Sequence, residues 1–329
     1  MKMNTDTALL LDETIRKEFD NIAGMAVVKN DVVVYERCFN GYTAEDPVHV
    51  ASVTKSIISA LIGIAIDQGR INSTAQKVLD FFPEYEVKRG EQTLQNVTIE
   101  QLLTMTAPYK YKSEPYTRVY GSGDWTKAAL DLLGGKGGGN GAFTYSTVGT
   151  HILSGILERS TGQPVRDYAA AHLFAPLGIK APPPAAIRSK DEYFAFLKDK
   201  EVCGWVVDPT GTNTGGWGLA LTLRDMVQIG RLYLNNGVWN GTQIVSPEWI
   251  AESTREHSRR GTQAYGYLWW VIEEGDCSGY AALGDGGNVI FAAPRHKMAV
   301  IIASRFKPRA KDRMEWIIRY LLPIFAEGV

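Results

Sequence analysis

Residues 51–69 read ASVTKSIISALIGIAIDQG. A hydroxyl, Ser52, and an amine, Lys55, stand three residues apart at the front of a long apolar run. Residues i and i+3 share a helix face. Ser52 and Lys55 are therefore neighbours if the helix begins at Ser52. The plainer reading is a capping Ser followed by a surface Lys, a pattern that chance supplies in many proteins. The sharper reading is a nucleophile beside its base. A hydroxyl is a weak nucleophile until a base takes its proton, and a helix N-terminus favours the alkoxide. Lys55 can act as that base only where burial in an apolar site lowers its pKa. Ile57, Ile58, Leu61 and Ile62 supply such surroundings, and Gly69 can cap the end of the helix.

Working outward, the chain has 329 residues, 45% hydrophobic and 22% charged, with a net charge of -1. That length allows two domains or one large one. The charge balance gives no field for nucleic acid or an anionic membrane. Cys38, Cys203 and Cys277 are odd in number and far apart, which suggests neither a disulfide framework nor a metal site. The N-terminal apolar run, Ala8 to Leu11, is closed by Asp12 and Glu13. It falls short of a signal peptide's apolar core of about 7–15 residues. The run Ile57–Ile66 is short of the ~20 residues that span a bilayer. The expectation is a soluble, cytoplasmic protein.

Residues 8–20 pattern as an amphipathic helix, and β-branched runs flank Asn30-Asp31 as in a hairpin. From 70 to 213 come short helical pieces broken by Pro and Gly. Thr98 with Gln101 suits a capping box. GGKGGGNG (134–141) reads as a loop, and it lacks the Lys-Ser/Thr ending of a phosphate loop. STVGTHILSGILERSTG (146–162) reads as a helix. Further on, Ser246 and Pro247 start a helix. YGYLWWVI, GYAALGD, NVIFAAP and KMAVIIASR read as strands, and a last amphipathic helix covers about 310–326. Strands near both ends predict an α/β (α+β) fold. Its sheet is built from 1–69 and 214–329 and flanked by helices, with 70–213 as an inserted, mainly helical domain.

Companions for Ser52 and Lys55 follow in order. Tyr145 precedes a helix and offers a second proton carrier, provided a nearby ammonium holds its pKa down; otherwise it is a half-buried strand aromatic. Asp285-Gly286-Gly287-Asn288 stands late in the chain. Glycines in a strand mark close approach of a backbone or ligand, or a tight turn. An oxyanion hole needs two backbone N–H groups, and those of Ser52 and Asn288 are the candidates. The tyrosines at 109, 111, 116 and 120 either line an acyl pocket or anchor a surface loop. Trp217 borders the site or packs in the core. His49 senses the site or simply packs. The five histidines show no metal spacing, and no Gly-x-Ser-x-Gly elbow occurs.

With these segments in place, the sequence resembles the serine β-lactamase superfamily in its class C-like branch. That branch includes penicillin-binding-protein-like proteins, D-amino peptidases, family VIII carboxylesterases and 6-aminohexanoate-dimer hydrolases. The resemblance rests on ASVTKSIISALIGIAIDQGRI, VTIEQLLTMTAPY, FTYSTVGTHILSGILERSTG and GGWGLALTLRDMVQIGRLYLNNG, in order over nearly the whole chain. It implies a β-lactamase/transpeptidase-like fold with a site between the sheet domain and the helical domain. It implies Ser52 as nucleophile, Lys55 as base and Tyr145 as proton carrier to the leaving group, with no metal or organic cofactor. The substrate side would involve Tyr109, Thr147, Trp217, Asp285, Gly286 and Gly287.

Two positions depart from the pattern. Thr147 replaces an Asn whose amide contacts the Lys, and a Thr hydroxyl reaches less far. Asp285 stands where a cation attracts the substrate carboxylate, and it would repel that group. The Gly-x-Gly-Gly-Asn form is similar to the Gly-x-Gly-Gly-Gln of the aminohexanoate-dimer hydrolases. The implied activity is serine hydrolysis of a small neutral or cationic ester or amide. The alternatives are a weak β-lactamase or D-aminoacyl peptidase, and a non-catalytic ligand-binding relative. The sequence sets no oligomeric state.

Overall fold

The computed structural model describes residues 5–135 and 141–327. Residues 136–140 of the expected Gly-rich loop lie outside them. Eight strands form one sheet: β1 (Ile22–Lys29), β2 (Val32–Cys38), β3 (Ser258–Arg260), β4 (Gln263–Tyr265), β5 (Trp270–Ile272), β6 (Gly279–Gly284), β7 (Asn288–Ala293) and β8 (Met298–Ser304). The order is β2-β1-β8-β7-β6-β5-β4-β3, antiparallel throughout. The expected α/β fold is therefore present, and its sheet closes between the two ends of the chain: Val27 pairs with Val300. Asn30 and Asp31, at φ 49° and 65°, make the two-residue turn that joins β1 to β2.

Alternation along the strands divides the apolar residues between two faces. Met25, Val27, Phe291 and Val300 face α1 (Thr5–Glu18) and the C-terminal helical run that begins at Met314. Ala26, Val28, Ile290 and Ile301 face the other way, into the larger core. That core holds α2 (Val53–Asp67), α3 (Thr147–Thr161) and α5 (Leu223–Leu234). A shorter helix, α4 (Lys190–Lys198), packs near the strand pair Pro47–His49 and Ala220–Thr222. All residues from Val53 to Ala65 are buried. An apolar helix surface on every side calls for such a central position. Gly63 lets Trp249 close on α2, since a Cβ there would fall 2.4 Å from the indole.

Local signals in the sequence recur in the fold. Thr98 and Gln101 form the capping box, and Ser246 caps a helix that opens with Pro247. One expectation fails: YGYLWWVI is two strands, not one. Gly266–Trp269 turns between β4 and β5, with Leu268 at φ 62° and its N–H donating to Leu103 O. The last helix also begins later than expected, at Met314. Among the described residues, no helix is long and apolar enough to cross a membrane. No cluster of three or more His, Cys, Asp or Glu among them could hold a metal ion.

Candidate active site

The turn before α2 is held from three sides. Val50 N–H donates to Leu219 O at 3.0 Å. The Asn288 amide donates to His49 O at 3.1 Å. Gly218 N–H donates to His49 Nε2 at 3.1 Å. Burial holds the His49 pKa down at about 4, so its ring is a neutral acceptor and a packed element of the turn. Between these clamps Ala51 takes φ 50°, a left-handed conformation that a side chain resists. Ser52 follows at the first step of the helix. Its hydroxyl caps nothing, so the plainer reading of a capping Ser does not describe it.

Lys55 is not at the surface either. It is 1% exposed. Its Nζ lies 3.1 Å from Ser52 Oγ, 3.2 Å from Thr147 Oγ1 and 2.7 Å from Gly216 O. Burial pushes its pKa down to about 7, against the upward pull of the Glu114 and Asp285 carboxylates. Each buried Ile or Leu beside it contributes about 1.5–3 kcal/mol of burial, and such neighbours offset the cost of holding an amine there. The Thr147 hydroxyl, one atom set shorter than an Asn amide, does reach the amine.

Tyr145 precedes α3. The Ser52 side chain is near enough to its hydroxyl to favour the phenolate slightly, and Lys55 Nζ lies 4.8 Å from its ring centroid. The proton balance differs from the expectation of an ammonium holding the phenol down. Burial drives the Tyr145 pKa up, and nearby negative charge adds to it. Near neutral pH the pair is a protonated phenol beside a partly free amine.

Glu114 organises the start of α3, and spacing gave no sign of it. It accepts from Ser146 Oγ at 2.7 Å, Val148 N–H at 2.7 Å and Thr147 N–H at 3.1 Å. A carboxylate at a helix N-terminus is well placed, and this one also acts on Lys55. Gly216 was missed as well. A Cβ on it would lie 2.5 Å from Thr147 O and Thr150 Oγ1, so only Gly brings its carbonyl to the Lys55 amine.

Ser52, Thr147, Trp217 and Asp285 open on one cavity of about 650 Å³. Its wall is aromatic, with Tyr116, Tyr120, Trp125, Tyr193 and Phe306 beside Trp217. Tyr109 is absent from it. That ring is 7% exposed and stacks on Tyr111 behind the first turn of α3. Gly149 accommodates it, since a Cβ there would meet Tyr109 Oη at 1.8 Å.

The Gly pair also differs from the strand reading. Asp285, Gly286 and Gly287 form the hairpin turn between β6 and β7, with φ 85° and 90° at the glycines. Gly286 and Gly287, with Asp285 and Asn288, line a second cavity with residues 306–314 that does not include Ser52. Asn288 is 1% exposed and does not line the Ser52 cavity. Its side chain is a clamp, which donates to His49 O and Asp285 O and accepts from Ser304 N–H. The residue of the turn that does line the cavity is Asp285. Among the described residues, the N–H groups of Ser52 and Asp285 have no hydrogen-bond partner.

Comparison with known proteins agrees with this architecture. The chain is 26% identical over 300 residues to a 6-aminohexanoate-dimer hydrolase of Paenarthrobacter ureafaciens, covering 84% of this chain and 70% of that one. It is 23% identical over 382 residues to Beta-lactamase-like protein 4 of Dictyostelium discoideum, covering 99% of this chain and 64% of that one. The fold superposes on the crystal structure of a family VIII carboxylesterase with a TM-score of 0.70, at 17% identity, over 99% of this chain and 98% of the other. The beta-lactamase family model matches residues 11–322, nearly the whole chain, and the chain belongs to that family.

Proposed function

We propose that the protein is a serine hydrolase that cleaves small esters or amides through an acyl-enzyme on Ser52. The observation that carries the reading is the 3.1 Å approach of a buried Lys55 Nζ to Ser52 Oγ. A free amine has two N–H bonds. Gly216 O and Thr147 Oγ1 accept them, which leaves the lone pair for the Ser52 proton. Ser52 Oγ then attacks the carbonyl as Lys55 takes that proton. The developing oxyanion is received by the N–H groups of Ser52 and Asp285, in place of the Asn288 N–H first expected. The Tyr145 phenol gives its proton to the leaving group and recovers one from the Lys55 ammonium. Water releases the acyl group by the reverse proton path. The relatives named for ester and amide hydrolysis support the same class of reaction.

A non-catalytic relative would not need a buried amine at hydrogen-bond distance from an uncapped Ser. Incubation with a fluorophosphonate probe and with p-nitrophenyl acetate tests the proposal, with Ser52→Ala alongside. Wild type is expected to label and turn over, and the variant to do neither. Equal behaviour of the two proteins refutes it. Nitrocefin in the same panel reads out any β-lactamase activity, which the cavity-facing Asp285 disfavours.

A further inference from the structure

Arg313 is a buried cation whose hydrogen-bond partners carry no charge. It is 2% exposed, and a fully buried Arg is rare unless it is paired. Its Nη2 donates to Asn21 Oδ1 at 2.6 Å and its Nη1 to Lys311 O at 2.9 Å. Its Nε has no partner among the described residues. The Phe19 ring centroid lies 4.5 Å from its Cζ. Gly287 closes on the guanidinium as well, since a Cβ there would fall 2.9 Å from Nε. Burial pushes the pKa down to about 10, so the charge persists at neutral pH. Taking it out of water costs stability, and the hairpin turn beside it gives it a use.

That turn, between β6 and β7, is held by its carbonyls. Asn288 Nδ2 donates to Asp285 O at 3.2 Å, Asn21 Nδ2 to Gly286 O at 2.7 Å, and Ser304 Oγ to Gly287 O at 3.0 Å. All three side chains belong to buried residues. The Asp285 N–H shares a peptide plane with Gly284 O, and Gly287 N–H holds that oxygen at 3.1 Å. The place of Gly287 therefore sets the direction of the Asp285 N–H, and Gly287 rests on Arg313. A guanidinium carries donors only. It fixes the Asn21 amide with its oxygen toward Arg313 and its nitrogen toward Gly286 O and Arg305 O.

We propose that Arg313 is a positioning residue of the oxyanion site. By its contact with Gly287 and its bond to Asn21, it holds the 285–287 turn so that the Asp285 N–H meets the developing oxyanion. The proposal rests on Ser52 as nucleophile and the Asp285 N–H as oxyanion donor. It adds to that reading a residue that does not line the Ser52 cavity.

Arg313→Ala tests it. A folded variant is expected to lose about 10–100-fold in kcat for p-nitrophenyl acetate, with little change in KM. Affinity for phenylboronic acid, whose adduct on Ser52 places an oxygen in the oxyanion site, is expected to fall in parallel with kcat. The second cavity borders Arg313. Millimolar guanidinium chloride is therefore expected to restore part of the lost turnover, and sodium chloride at equal ionic strength is not. Should the variant not fold, a crystal structure of the wild-type boronate adduct decides. A boronate oxygen on the Asp285 N–H, with the Arg313–Asn21 and Asn21–Gly286 bonds kept, upholds the proposal, and an oxygen held elsewhere overturns it. So does a folded Arg313→Ala that keeps wild-type kcat, or one that loses kcat without losing boronate affinity. A loss that guanidinium relieves no better than sodium chloride also overturns it. Ser52→Ala keeps the two readings apart. Turnover retained in Ser52→Ala overturns the nucleophile assignment and this proposal with it. An inactive Ser52→Ala beside a fully active Arg313→Ala overturns this proposal alone.

Discussion

Replacing Glu114 by Gln is expected to make the enzyme more active in mild acid. In the proposed mechanism Lys55 acts as a base only when unprotonated, and its pKa lies at about 7. Activity in kcat/KM therefore rises with pH through about 7 and levels off above it. Glu114 opposes the free amine, because its negative charge favours the ammonium. Thr147 bridges the two groups, with its N–H 3.1 Å from Glu114 Oε2 and its Oγ1 3.2 Å from Lys55 Nζ. Through one Thr residue the charges stand on the order of 6–9 Å apart, where their attraction is about 2–3 kcal/mol at an effective dielectric constant of ~20 and about 0.5–0.7 kcal/mol at ~80. Removing it moves the acid limb down by about 0.3 to 2 pH units. For a one-unit fall, the free-base fraction at pH 6 rises from roughly one-tenth to roughly one-half, about fivefold, while little changes at pH 8. The assay is a pH–rate profile with p-nitrophenyl acetate. Gln keeps one acceptor oxygen for Ser146 Oγ and Val148 N–H and gives up the one that takes Thr147 N–H, and circular dichroism checks that the fold holds. Glu114→Asp keeps the charge and is expected to keep the limb near 7. A folded Glu114→Gln whose limb stays put or moves up refutes the electrostatic argument.

Three further perturbations follow from the same geometry. Tyr145→Phe removes the proposed proton carrier and is expected to lower kcat by about 10²–10⁴-fold with little change in KM; a loss below tenfold in steady-state assays argues against the role. Lys55→Met is expected to abolish turnover and to raise stability at pH 7. The folded pKa of Lys55, about 7, lies below its unfolded value of ~10.4. The penalty is therefore complete below pH 7 and fades as the pH rises toward 10.4. After allowance for the orphaned Gly216 carbonyl, a gain of about 1–3 kcal/mol at pH 7 remains. Urea titrations at pH 7 and pH 10 check this, and a gain that does not shrink at pH 10 contradicts it. Gly216→Ala forces a methyl to 2.5 Å from two α3 oxygens. A loss of about 1–3 kcal/mol, together with loss of activity, is expected in thermal melts and turnover assays; a fully active, equally stable variant refutes the close-packing argument.

The legible parts of this molecule were those encoded locally. Ser52 and Lys55 sit one helical turn apart, and the apolar residues that bury them are in the same segment. The capping box at Thr98 and the turn at Asn30-Asp31 likewise need only a few consecutive residues. Glu114 was not legible, because its partners at 146–148 lie more than thirty positions away and no periodicity links them. Asn288 was assigned to the oxyanion hole because the direction of a backbone N–H depends on where the hairpin turns. The turn falls at 285–287, which leaves Asp285 in the cavity and Asn288 beneath it. The split of β4 from β5 escaped detection because its cause, the Leu103 carbonyl that holds Leu268 N–H, belongs to a distant helix.

The pairing of β1 with β8 has a consequence for synthesis. Helix α2 lies against β6 and β7, and β1 has no inner neighbour until Met298–Ser304 arrives. A ribosome adding about 5–20 residues per second takes roughly 10–50 s to travel from α2 to the end of β8. For most of that interval, until β6 and β7 arrive, one of the most apolar segments of the chain has no strands to lie on. Nascent chains stalled anywhere before β8 carry Ser52 and Lys55 without the complete sheet, and they offer α2 to chaperones or to aggregation. Completion of the fold therefore waits on its last strand.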